Sequence, residues 1–259
     1  MSHAAARSLV AAAVFVTFAL EVAAVALAAG VVPVGQPVLY AVYALVQAVA
    51  GAVIVWNYPR HPIGWLLCSF TLVNALFADA ALSYGSRGYL EGWPGATHAE
   101  VVSLTSWVVA ALGLDLLFLL FPDGRFLSRG WRWVPVVWFL GAVLAIPGWT
   151  LNPRLGHSLT GGVNPLATDA FPVEPAFAVG TALICASLAA SVIAVLVRFR
   201  RSRGVERLQL KWVMLAGALL VVVLPISAAL WTLWPPIQYA PALALPLLPV
   251  ELRVLMQPR

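Results

Sequence analysis

The chain has 259 residues, of which 62% are hydrophobic and 10% are charged, with a mean hydropathy of +0.94 and a net charge of +5. Soluble domains carry about 25% charged residues, so this composition excludes a single soluble core. It predicts an all-α, polytopic transmembrane helical bundle that forms one integral membrane domain over residues 1–259. The excess of basic residues indicates membrane topology and no nucleic-acid partner, because cytoplasmic loops are enriched in Lys and Arg.

Apolar runs long enough to cross a bilayer, about 20 residues each, follow one another along the chain and predict about eight spans. The predicted spans cover approximately residues 8–32, 38–56, 63–83, 101–121, 134–151, 175–197, 211–233 and 237–255. For the first run a cleaved signal peptide is the alternative, because Ala26-Leu27-Ala28 resembles a cleavage site. Pro225 is expected to kink the seventh span, and three prolines interrupt the eighth.

The loops between the predicted spans differ in charge. Tyr84–Glu100, which is rich in glycine, and Asn152–Glu174 carry one arginine each and are predicted to lie outside. The basic loops Asn57–Trp65, Phe121–Trp133 and Arg198–Trp212 are predicted to lie inside. This arrangement puts thirteen of the fifteen basic residues on one side. It predicts a multi-pass protein of the inner (plasma) membrane with both termini in the cytoplasm.

Three carboxylates, Glu21, Asp79 and Asp115, fall well within apolar spans, where polar side chains are costly unless they have partners. At ~1.5 Å per residue, Glu21 and Asp79 lie roughly 20 to 24 Å from the predicted inner boundary, whereas Asp115 lies about 9 Å from it. Glu21 and Asp79 can therefore share one site, and Asp115 is expected to lie apart. Two interpretations stay open: a proton-sensitive or ligand-sensing pair, or polar packing inside a bundle.

Other recognisable chemistry is absent from the sequence. Glu91, His98 and Glu100 share one outer loop, but their spacing matches no metal-ligand template, and no metal site is predicted. There is no Walker A loop, no G-x-S-x-G motif and no Rossmann fingerprint, so no cofactor is predicted. Cys68 and Cys185 lie inside apolar runs, where they are expected to be buried as small hydrophobic residues.

Three basic motifs stand in order along the chain: R-H-P-I-G-W-L-L (Arg60–Leu67), L-F-P-D-G-R-F-L-S-R-G-W-R (Leu120–Arg132) and R-R-S-R-G-V-E-R-L-Q-L-K-W (Arg200–Trp212). Their order and spacing resemble the membrane-embedded N-terminal region of actinobacterial two-component sensor histidine kinases, over nearly the whole chain. The resemblance implies a sensory or signal-coupling module. Its cytoplasmic motif residues are Pro122, Asp123, Gly124, Arg125, Arg203, Gly204, Glu206, Arg207, Gln209, Lys211 and Trp212. Contact with anionic lipid, at about 1 kcal/mol per basic residue, is the simpler alternative for the third motif.

In that family a dimerisation helix with the phosphorylated histidine and an ATP-binding domain follow the membrane helices. This sequence ends four residues after Leu255, and its four histidines lie in the tail or loops of the membrane part. None of them is carried over as the phosphoacceptor, so no kinase activity is expected of this chain alone. The expected partners are the lipid bilayer and either a kinase core or a second copy of the chain. A small-solute or proton-coupled transporter is the alternative function.

Overall fold

The computed structural model describes residues 2–153, 164–203 and 211. Within this part the chain is helical and forms no β-strand. The α-helices are α1 (His3–Ala28), α2 (Gly35–Asn57), α3 (Pro62–Asn74), α4 (Ala81–Glu91), α5 (Ala96–Ser103), α6 (Ser106–Leu120), α7 (Trp133–Thr150) and α8 (Val173–Arg201). A π-helical turn, Ala75–Ala80, joins α3 to α4, and a 3-10 turn, Arg129–Arg132, leads into α7.

Six helical segments in the described residues are long and apolar enough to cross a membrane. They are His3–Ala28, Gly35–Asn57, Pro62–Glu91, Ala96–Leu120, Arg129–Thr150 and Val173–Arg201, here called the first to the sixth span. Their outward faces expose large apolar side chains such as Phe15 and Phe139, which suit a lipid environment. The prediction of an all-α fold with apolar spans is confirmed for the described residues. The predicted spans 211–233 and 237–255 lie outside the described residues apart from Lys211, so the count of eight stays a prediction.

The first span begins and ends earlier than predicted, for local reasons. The Ser2 hydroxyl accepts a hydrogen bond from the Ala5 amide at 3.2 Å, which caps the helix and starts it at His3. The helix ends at Ala28, and Gly30 follows with a positive φ of 80°. Only glycine adopts this left-handed conformation without steric cost, so the chain turns here and not at Pro33.

The segment Tyr84–Glu100, predicted to be an outer loop, is mostly helical, so the prediction of a loop is wrong. The third span continues to Glu91, and the fourth begins at Ala96 after a four-residue turn. A Cβ at Gly85 would lie 2.7 Å from the Glu100 amide nitrogen. The glycine at this position lets α4 and α5 approach closely. Because glycine is also common in loops, the sequence alone does not indicate this contact.

Packing divides the described helices into two groups. In the first, α1 packs against α2 and against the whole third span. In the second, α7 and α8 pack along most of their length, and α6 joins the groups through contacts with α3 and α8. A Cβ at Gly180 of α8 would lie 2.4 Å from the Ala145 nitrogen and 2.6 Å from the Gly141 oxygen. The backbones of α7 and α8 are therefore in contact, which small residues permit.

One end of the bundle carries most of the described basic residues, and we call it the basic end. It consists of residues 58–61, residues 121–132 and the last turn of α8, residues 198–201. Arg7, near the start of α1, lies over the Trp56 ring at 4.9 Å from the ring centroid. This cation–π contact joins the first two spans at the same end.

Candidate functional site

Glu21 of α1 and Asp79 of the π-helical turn lie close enough for their carboxyl groups to interact. Glu21 is 1% exposed, and neither of its oxygens has a hydrogen-bond partner in the described part of the chain. The depths estimated from the sequence allowed these two residues to share a site, and they do lie together. Two ionised carboxylates at one site repel each other, so a proton or a cation stabilises the pair.

The position of Asp79 depends on the π-helical turn Ala75–Ala80. A π turn inserts one extra residue into an α-helix and rotates the following residues relative to the preceding ones. The turn packs against α1, the helix that carries Glu21. Its irregular backbone therefore brings the carboxyl of Asp79 to the neighbouring span, and such turns occur frequently at functional sites.

A cavity of about 690 Å³ adjoins Asp79 between α2, α3, α5 and α6. Its volume is in the range of small-molecule sites. Most of its wall is apolar, and its polar or aromatic lining residues are Tyr40, Tyr43, Gln47, Phe70, Thr71, Asn74, Asp79, Ser103, Ser106 and Trp107. The Gln47 amide donates to the Tyr43 hydroxyl, which fixes these two side chains one helical turn apart. The cavity thus has an apolar wall and a few polar groups that point toward one space, which is the composition typical of small-molecule binding sites.

Both interruptions of the regular helices border this cavity. Ala78 and Asp79 belong to the π turn, while Ser103 and Ser106 flank the break between α5 and α6. At the break, the Thr105 hydroxyl donates to the Val102 carbonyl at 2.7 Å and competes with the helical pattern. Irregular backbone within a membrane is tolerated where it lines a cavity, and membrane transporters place their binding sites at such points.

A second cavity, of about 60 Å³, lies on the other side of Asp79. It is lined by residues of the turn between α1 and α2, including Val31 and Val32, and by Ser83 and Ser86 of α4. Tyr40 and Asp79 line both cavities. Asp79 therefore lies between the large cavity and a smaller one that extends toward the end of the bundle opposite the basic end.

Asp115 has different surroundings. It is fully buried on α6, and the Ser187 hydroxyl of α8 donates to its Oδ2 atom at 2.6 Å. Ser191, one turn further along α8, donates its hydroxyl to the Leu188 carbonyl at 2.8 Å. The contact between Asp115 and Ser187 fastens α6 to α8, and Asp115 lines neither of the two cavities. Asp115 thus lies apart from Glu21 and Asp79, as its depth in the sequence indicated.

The first and second motifs meet at the basic end. Gly124 has a positive φ of 71°, and a Cβ at this position would lie 2.5 Å from the Pro62 Cδ atom. Both facts require glycine in the Pro122-Asp123-Gly124-Arg125 turn. Beneath the turn is an apolar cluster from α2, α3, α6 and α8, with buried members Ile54, Ile63, Phe118, Phe121 and Val195. Four helices thus end on one shared core.

Arg198 is a site residue that the sequence interpretation missed. It is 7% exposed, and its guanidinium donates to the Leu119 carbonyl at 3.2 Å and to the Arg125 carbonyl at 2.7 Å. The signal was helical periodicity, because Ser187, Ser191 and Arg198 share one face of α8. The basic cluster that begins at Arg198 is therefore more than a topology signal, since its first residue binds the second motif.

His61 of the first motif lies beside Pro122 and Asp123. Burial lowers the pKa of its imidazole below the usual value near 6.5, and it outweighs the Pro122 carbonyl and the Asp123 charge, which both favour protonation. Its Nδ1 atom is buried without a hydrogen-bond partner among the described residues. Burial of His61 where the first two motifs meet therefore favours its neutral form.

Most residues of the third motif lie outside the described part: Gly204, Glu206, Arg207, Gln209 and Trp212. Arg203 and Lys211 are exposed. Of the two cysteines, Cys68 is buried with its Sγ atom 3.7 Å from the Ala48 carbonyl oxygen, whereas Cys185 is exposed. The prediction that Cys185 is buried is wrong, because an apolar run does not reveal which helix face meets lipid.

The cavity lining was also missed in the sequence. Tyr43, Gln47, Asn74 and Trp107 belong to three different spans, and no motif connects them. Tyr43 and Gln47 at spacing i, i+4 were a weak signal within α2. The chain matches no known family model, no curated protein and no solved structure. Its function is therefore argued from its own residues.

Proposed function

We propose that this protein is a membrane sensory or signal-coupling module that resembles the input region of a histidine kinase. The observation that carries the proposal is the Glu21–Asp79 carboxyl pair beside a cavity of about 690 Å³. A carboxyl pair in an apolar bundle responds to protons or to cations, and the cavity gives a small ligand access to the half-buried Asp79.

The third span offers a route from this pair to the basic end. Asp79 lies in its π turn, and Pro62, its first residue, contacts Gly124 of the second motif. At ~1.5 Å per residue, the seventeen helical steps from Pro62 to Asp79 cover about 25 Å. A shift of the π turn therefore has a continuous helix through which to move the basic end.

The sixth span supports an output at the same end. Arg198 holds the Leu119 and Arg125 carbonyls, and α8 continues toward the third motif. We propose that this end faces the cytoplasm of a plasma membrane, as the distribution of basic residues favours. A kinase core or a second copy of the chain would receive the signal there.

Hydrogen exchange of the segment 122–132 in wild-type protein and in Glu21→Gln and Asp79→Asn variants tests the coupling without a known ligand. We expect both substitutions to change exchange in this segment. Glu91→Gln is the matched control, since Glu91 is a carboxylate of the same span that pairs with Arg87. Unchanged exchange in both pair variants would argue against signal coupling.

The family part of the proposal has a separate test. The coding DNA beyond Arg259 and in the neighbouring gene is sequenced in all frames. A dimerisation helix with a histidine and an ATP-binding domain would support the kinase resemblance. A neighbourhood without either would contradict it.

A proton-coupled transporter is the second candidate, and the contact of Asp79 with two cavities favours it. Proteoliposomes loaded with a pH-sensitive dye and given a potassium diffusion potential test this function. A proton flux that disappears in Asp79→Asn would support transport, with Asp115→Asn as the control. If the protein shows no proton flux but the pair variants change hydrogen exchange in segment 122–132, the sensor function is favoured.

A further inference from the structure

We infer that the cavity beside Asp79 binds a lipophilic organic cation that carries one positive charge. This inference rests on the proposed function, because it names the chemical class of the input ligand. Three observations carry it: the proximity of the Glu21 and Asp79 carboxyl groups, the composition of the cavity wall, and the absence of a protein counter-charge among the described residues.

The charge of the site comes from its two carboxyl groups. Glu21 and Asp79 lie close together, so repulsion disfavours ionisation of both, and ionisation of one gives the pair a single negative charge. In the described part of the chain, no ion pair joins either residue to a basic side chain. Arg87, the basic residue nearest to Asp79 along the third span, pairs with Glu91 at 2.8 Å. A lone negative charge in an apolar bundle is stabilised by a cation that comes from outside.

The cavity wall selects the kind of cation. Asp79 lines it, together with the aromatic side chains Tyr43, Phe70 and Trp107. Aromatic faces attract organic cations, and most of the other lining residues are apolar. A divalent metal prefers several carboxylate or imidazole ligands, and the described residues include no group of three or more such side chains. The wall therefore fits a bulky, weakly hydrated cation.

Binding of tetraphenylphosphonium to the full chain in lipid nanodiscs tests this inference. Tetraphenylborate is the matched probe, because it has nearly the same shape and the opposite charge. Empty nanodiscs supply the background of partitioning into lipid. We expect saturable binding of the phosphonium at one site per chain and no saturable binding of the borate. Equal binding of the two probes would overturn the inference.

Variants assign the site. Asp79→Asn is expected to reduce phosphonium affinity about tenfold or more, because it removes the charged group that lines the cavity. Asp79→Glu keeps the charge and should retain binding within about threefold, which shows that the site is folded. Asp115→Asn, at the other buried carboxyl, should bind as the wild type does. Wild-type affinity in Asp79→Asn would overturn the inference.

The two proposals fail separately. If Asp79→Asn changes hydrogen exchange at the basic end but the protein does not bind the phosphonium, the ligand class is wrong and signal coupling stands. If the phosphonium binds through Asp79 but neither it nor the substitutions alter exchange in segment 122–132, signal coupling is wrong and the binding site stands.

Discussion

Glu21 and Asp79 lie beside a large cavity in the first helix group, whereas Asp115 lies between the closely packed α6 and α8. All three are acidic residues within apolar runs of similar composition. Asp79 faces a space that can admit a ligand, while Asp115 accepts a hydrogen bond from the Ser187 hydroxyl. A buried carboxylate is thus a candidate binding group in one setting and a helix contact in the other.

The difference comes from the backbone around each carboxylate. Near Asp79 a π turn and the break between α5 and α6 prevent continuous helix contact and leave a cavity. Around the α7–α8 contact, glycine and alanine let the helices touch. Irregular backbone opens one region, and small residues close the other.

The largest effect is expected where helix backbones touch. Gly180→Ala places a Cβ 2.4 Å from the Ala145 nitrogen, so α7 and α8 must separate. We expect the free energy of unfolding to fall by about 2–3 kcal/mol, measured by thermal or denaturant unfolding in detergent. Gly35→Ala is the control, since no atom lies within 4 Å of its Cβ position. Equal stability of the two variants would mean that the backbones are not in contact.

Removal of the Arg198 side chain comes next. Arg198→Leu leaves the Leu119 and Arg125 carbonyls without this donor, and a loss of about 2 kcal/mol is expected because charged hydrogen bonds are strong. The exposed Arg200 gives the matched variant, Arg200→Leu, which should be nearly neutral. Similar losses from both substitutions would show that the arginines act only through overall charge.

A double-mutant cycle separates the two carboxyl sites. Asp115→Ala and Ser187→Ala should show a coupling energy of about 1 kcal/mol, because their side chains share a hydrogen bond in the membrane interior. Asp79→Asn and Ser187→Ala, in different sites, should add within about 0.5 kcal/mol. Strong coupling between Asp79 and Ser187 would indicate one continuous polar network instead of two sites.

The smallest effect concerns pH at the basic end. Because burial lowers the pKa of His61, the unfolded state binds more protons between that pKa and ~6.5. The free energy of unfolding therefore rises with pH through this window and falls on acidification. His61→Gln should flatten the slope between about pH 5 and 8, whereas His98→Gln, at the opposite end, should retain it. A wild-type slope in His61→Gln would contradict this assignment.

The helical class and six of the predicted spans could be read from the sequence because apolar length and charge distribution are local properties. The prediction of a loop over Tyr84–Glu100 failed because glycine is common both in turns and where helices pack closely. Only the structure shows that the Glu100 backbone packs against Gly85, which makes this glycine part of a helix contact. Arg198 was grouped with exposed arginines because sequence alone does not show which side of the last turn of α8 meets α6.

The sequence by itself determined that the protein is helical, with spans long and apolar enough to cross a membrane and with three acidic residues within them, two at similar depth. The tertiary structure decided that Glu21 and Asp79 lie together, that a cavity adjoins Asp79, and that Asp115 contacts Ser187. The physical reason is that depth follows from counting residues along one helix. Contact between side chains of different helices depends on the rotation of each helix about its axis. A single π turn changes this rotation, and only packing between the helices fixes it.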